Sequence, residues 1–115
     1  MSEASEKPHR LETGDDLDAL RAERDVVLVD FYTKGCTLCQ SIEPIVGNVA
    51  RATTATVAML NPQTDLDLVD EYDITSVPTL LLFESGEIVG RMASGFEGTE
   101  SVVEFVTENS SAKRR

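Results

Sequence analysis

The sequence has no tryptophan, one histidine, three lysines and two cysteines in 115 residues. Each scarcity narrows the chemistry. The histidine, His9, lies far along the chain from both cysteines and reads as a surface residue rather than a ligand. Basic residues are too few for a nucleic-acid binder, whose partner's phosphates need neutralising by Lys and Arg. No apolar run approaches the roughly 18 residues of a membrane span. The first ten residues, Met1 to Arg10, lack an apolar h-region, so no secretory signal is read and a cytoplasmic protein is expected. In that compartment a cysteine pair is catalytic or metal-binding more often than structural.

Acidic charge is abundant. Twenty-one Asp and Glu against ten Lys and Arg give a net charge of −11. Between Asp15 and Asn109 the imbalance sharpens to eighteen acidic against five basic residues. Such a surface keeps a protein soluble at the cost of self-repulsion, a balance suited to high salt. The expectation is a cytoplasm of the kind found in halophilic archaea, with an acidic mesophilic protein as the alternative.

The length suits one domain with its own core. Residues 1–8 read as a disordered leader, 9–109 as the domain and 110–115 as a polar, solvated tail. His9 to Thr13 suggests a short edge strand, and Thr13-Gly14-Asp15-Asp16 opens a helix with acidic residues in its first turn. Val26 to Tyr32 is a near-continuous apolar run, the mark of a central strand covered on both faces. Ile42, Ile45, Val46, Val49 and Ala50 then recur at helical spacing around Pro44. Thr56 to Asn61 reads as a second strand. Thr64 is expected to cap a helix with Leu66, Val69 and Tyr72 inward. Thr79 to Glu84 and Glu87 to Ala93 form a hairpin through Ser85-Gly86, and Thr99 opens a last amphipathic helix. The order implies an α/β fold with a mixed central sheet of four or five strands and helices on both faces.

Both cysteines fall in Gly35-Cys36-Thr37-Leu38-Cys39, where the central strand passes through a short loop into a helix. Residues i and i+3 share a helix face, so the spacing suits a reversible disulfide. Cys36, at the helix start, meets unpaired N–H groups that favour a thiolate, whereas Cys39, one turn in, is expected to be more buried. That asymmetry suggests Cys36 as the attacking and Cys39 as the resolving thiol. Two other classes stay open. The pair could complete a zinc or iron–sulfur site across a dimer, or the domain could be a redox-inactive binding module. Asp30 would carry a raised pKa if buried, and could then exchange a proton with Cys39, but a wet strand end fits the pattern as well. Val77-Pro78 by itself favours a trans turn.

Taken together, Val29-Asp30-Phe31-Tyr32, Cys36-Thr37-Leu38-Cys39, Pro44, Val57 to Asn61, Val77-Pro78-Thr79 to Phe83 and Glu84-Ser85-Gly86 resemble the thioredoxin family from about Leu11 to Asn109. The resemblance implies the thioredoxin fold and a protein-disulfide oxidoreductase, acting mainly as a reductant, with a Cys36–Cys39 redox disulfide. It implies that Asp30 is the buried acid/base and that Pro78 is a cis-proline whose neighbour Val77 pairs with substrate backbone. Gly35, Thr37, Leu38 and Gly95 would complete the substrate-facing surface. No cofactor and no metal are implied, since the dithiol holds both electrons. The implied partners are disulfide-containing proteins and a thioredoxin reductase or similar flavoprotein, with a monomer expected. The chain departs from the family at Thr37-Leu38, where Gly-Pro is usual. It departs again at Tyr32 and Gly35, which replace tryptophans, and at Met59, which replaces a lysine beside the aspartate. Loss of that lysine is expected to raise the Asp30 pKa further.

Overall fold

The computed structural model describes residues 7–93 and 98–115. Its elements run β1 (His9–Leu11), α1 (Gly14–Glu23), β2 (Val26–Phe31), α2 (Thr37–Ala52), β3 (Thr56–Leu60), a 3-10 turn (Pro62–Thr64), α3 (Asp67–Glu71), β4 (Thr79–Glu84), β5 (Glu87–Met92) and α4 (Thr99–Asn109). The strands form one mixed five-stranded sheet in the order β1-β3-β2-β4-β5. β1 and β2 both pair parallel to β3, and β4 pairs antiparallel to β2 and β5. β2 sits at the centre, and all six of its residues are buried.

Alternation along β2 divides the core in two. Val26 and Leu28 face α2 and α4, together with Ile42, Val46, Val49, Val102 and Val106. Val27, Val29 and Phe31 face α1 and α3, with Leu17, Leu20, Leu68, Tyr72 and Phe83. Side chains of successive strand residues point to opposite faces, so a six-residue buried strand must supply both layers.

Local signals fix the ends of these elements. Thr13 caps α1 through a capping box: its side chain accepts from the Asp16 N–H, and the Asp16 carboxylate accepts from the Thr13 N–H. The Ser85-Gly86 turn has φ of 53° and 84°, the left-handed pair that matches strand twist in a two-residue hairpin. Gly90 in β5 allows the Phe105 ring of α4 to sit where a Cβ would fall 2.9 Å from two ring carbons.

Three expectations change in the structure. Asn61 accepts from the Gln63 N–H and starts the 3-10 turn, and the Thr64 hydroxyl donates to the Glu12 and Asn61 carbonyls instead of capping. The helix therefore begins later and its phase shifts. Leu68 and Tyr72 turn inward, while Leu66 is 68% exposed. The chain end also docks. Ala112 is buried, Arg114 bridges to Thr53, and the Thr54 N–H donates to the Lys113 carbonyl. The polar composition of 110–115 conceals this because its polar groups, backbone and side chain alike, find partners on the domain. Finally, the Val77–Pro78 peptide is cis, against the local preference for trans and as the family resemblance implies.

Candidate functional site

The site lies where the C-terminal end of β2 meets the N-terminus of α2. Gly35, at a left-handed φ of 76°, turns the chain into the helix. Cys36 is the N-cap of α2, and its Sγ accepts from the Cys39 N–H at 3.1 Å. A cysteine sulfur thus occupies the position where Ser, Thr or Asp usually satisfies a free helix N–H. The two cysteines form a disulfide, with Cα atoms 5.2 Å apart. Cys36 is half-buried, and Cys39 is only 3% exposed. Thr37 and Leu38 between them are exposed, Leu38 by 44%.

The cis segment arrives from the other side. The Val77 carbonyl oxygen lies 4.0 Å from Cys36 Sγ, and Pro78 is buried behind it. Beside Val77 runs a groove of about 230 Å³ lined by Thr33, Pro62, Leu66, Val69 and Ile74. Leu66, which the pattern assigned to the interior, is on its rim. The remaining expected substrate residue, Gly95, lies outside the described residues.

Asp30 is fully buried, and neither carboxyl oxygen has a hydrogen-bond partner among the described residues. Its neighbours across the sheet are Met59 on β3 and Leu80 on β4. Burial in this apolar setting pushes its pKa up to about 7, and the negative charge of Glu43 adds to the rise. The strand therefore holds a carboxyl able to gain and lose a proton near neutrality. Cys39 and Met59 line a common cavity of about 250 Å³ with Tyr32 and Glu43.

Cys36, Cys39 and Val77 lie together, and Glu43, to which the sequence pattern assigns no place in the site, lines the same cavity as Cys39. Glu43 is four residues beyond Cys39 and shares its helix face, a signal available in the sequence. Arg10 pairs with Glu43 and lies in register with Met59, which only the sheet topology reveals. Among the described residues no group of three or more His, Cys, Asp or Glu is placed to hold a metal ion. None of the described helices is long and apolar enough to cross a membrane.

Comparisons with known proteins agree with this geometry. Residues 12–108 match the thioredoxin family model. The chain is 33% identical over 84 residues to thioredoxin from Mycobacterium tuberculosis, covering 71% of this chain and 72% of that one. It is 30% identical, also over 84 residues, to a bifunctional thioredoxin reductase/thioredoxin from Mycobacterium leprae, spanning 18% of that longer protein. Among solved structures, a single-site mutant of Halobacterium salinarum thioredoxin superposes with a TM-score of 0.89 at 30% identity, covering 96% of each chain.

Proposed function

This chain belongs to the thioredoxin family and is a thiol–disulfide oxidoreductase, and from that premise we propose that it is a protein-disulfide reductase in which Cys36 attacks and Cys39 resolves. One observation carries the assignment: the Cys36 sulfur accepts a helix N–H at the start of α2, whereas Cys39 is enclosed. The helix terminus stabilises a thiolate on Cys36, and burial keeps Cys39 protonated until a base removes its proton.

In the forward direction the Cys36 thiolate attacks one sulfur of a substrate disulfide. A mixed disulfide forms and one substrate thiolate leaves. Asp30 takes the Cys39 proton, the Cys39 thiolate attacks Cys36 Sγ, and the second substrate thiolate departs. The two protons given up by the cysteines balance those gained by the substrate thiols. Two electrons pass from the dithiol to the substrate, with no further cofactor. The Val77 backbone, beside Cys36 Sγ, is the docking edge for an extended substrate segment. Gly35, Thr37, Leu38 and Pro78 frame that contact, with Gly95 assigned by family resemblance alone. A thioredoxin reductase or similar flavoprotein restores the dithiol, in keeping with the fused Mycobacterium leprae relative.

The protein acts as a cytoplasmic monomer adapted to high salt. The net charge of −11 and the likeness to the Halobacterium salinarum protein support the adaptation. Stability that rises with KCl is the expected result, and full stability in dilute buffer would refute it. For the activity, the wild-type chain should reduce a model disulfide and Cys36→Ser should abolish turnover. Activity surviving that substitution would eliminate the proposal. Titration of the Cys36–Cys39 pair against glutathione should give a potential well below that of the glutathione couple.

A further inference from the structure

We propose that Glu43, held at the cavity mouth by Arg10, is the relay that carries the proton of the resolving step between buried Asp30 and solvent. The proposal rests on the dithiol reading above and adds a positioning pair to it.

The resolving step sends the Cys39 proton through Asp30 towards solvent, yet the Asp30 carboxyl is enclosed and has no hydrogen-bond partner among the described residues. The cavity lined by Cys39 and by Met59, the cross-strand neighbour of Asp30, is also lined by Glu43, one helical turn beyond Cys39. At about 250 Å³ it has room for several waters. Glu43 and Met59 also line a second opening, together with Lys7 and Arg10. Glu43 therefore lines both openings, with a side chain 46% exposed.

The sheet supplies the rest of the alignment. Arg10, Met59 and Asp30 occupy one row across β1, β3 and β2. The cation at the outer end of that row pairs with Glu43 rather than with Asp30. Arg10 thereby fixes the carboxylate at the mouth and offsets part of its charge. The titratable groups facing this path are Cys39 and Glu43 from α2, Tyr32 and Lys34 from the loop after β2, and Lys7 and Arg10 on the β1 side. The strands flanking Asp30 add only Met59 and Leu80. Glu43 is the one carboxylate among these mouth residues. Its charge also contributes to the upward shift of Asp30, as a path neighbour should.

The test isolates the resolving step in the full chain. A peptide is loaded on Cys36 as a mixed disulfide, and release of the peptide thiol is followed against pH. Wild-type release should rise with pH to a plateau. Glu43→Gln should lower the plateau by about 3- to 10-fold, less than loss of a direct general base because water partly substitutes. Imidazole buffer should restore it. Glu43→Asp should stay within about 2-fold of wild type, since it keeps a carboxylate. The pH midpoint should fall in Glu43→Gln, which removes a repulsive charge, and rise in Arg10→Gln, which unmasks it. A structural defect would not move the two variants in opposite directions. An unchanged plateau in Glu43→Gln, or a fall that imidazole does not recover, would overturn the relay while leaving the dithiol chemistry standing. Wild-type protein that releases no peptide at any pH would overturn the dithiol reading and the relay with it.

Discussion

The two faces of the sheet are built from the same strands and differ in what they bury. The α1/α3 side is mainly apolar, with Thr56 and Thr79 as its buried hydroxyls, and rich in rings: Phe31–Tyr72 and Tyr72–Phe83 pack with centroids 5.8 Å apart, and the Arg21 guanidinium caps the Phe83 ring at 4.6 Å. On the α2/α4 side, the row of β2 that includes Leu28 also carries Asp30, opposite a helix carrying Cys39. One face supplies stability and the other gives part of it up to place a carboxyl beside a thiol. The same six-residue strand reaches both because its side chains alternate.

The largest effect that would break this contrast is on the ring-packed face. Phe83→Ala should cost about 3–5 kcal/mol in denaturant unfolding while the folded fraction keeps its rate of disulfide reduction. A loss of intrinsic rate would show that the two faces are not separable.

Asp30→Asn probes the other side with the opposite sign. A folded pKa near 7 against an ordinary 3.8 means that the folded state binds the proton more tightly. Wild-type stability should therefore be full below about pH 4 and decline as pH rises towards 7, by on the order of 4 kcal/mol. Because the buried amide brings its own desolvation cost, Asp30→Asn should be more stable than wild type by roughly 2 kcal/mol at pH 8, with the advantage shrinking towards pH 4. Resolution of a mixed disulfide at neutral pH should slow by about 10²-fold. A variant less stable than wild type at pH 8 would contradict this burial cost.

Met59→Lys sharpens the comparison by putting a cation beside the carboxyl. The Asp30 midpoint, read from carboxyl carbon NMR, should drop by about 1 unit, worth ~1.4 kcal/mol. An unmoved midpoint would mean that the lysine ammonium does not reach the carboxyl. The smallest effect is a control remote from both cores. Thr13→Ala removes the capping box of α1 and should cost about 1 kcal/mol with no change in reduction rate.

Much of this contrast is legible in the chain. The continuous apolar run from Val26 to Phe31 marks a strand buried on both sides, and Cys36 falls at a helix start because a strand, a glycine loop and a 3.6-residue pattern follow in order. Whether Asp30 is dry is not legible locally. That depends on Met59 and Leu80 from two other strands, which the residue pattern cannot bring beside it. The same limit hid Arg10, whose relation to Met59 exists only through the β1–β3 register. The phase of α3 was missed for a local reason: Asn61-Pro62 spends three residues on a tight turn before the helix begins.

The division of roles between the two cysteines can be tested directly by trapping. Cys39→Ser protein mixed with a disulfide-bonded peptide should accumulate a stable adduct on Cys36, read by mass spectrometry after proteolysis. Cys36→Ser protein should accumulate none. An equal yield of adduct on Cys39 in the Cys36→Ser protein would contradict the assignment of Cys36 as the attacking thiol.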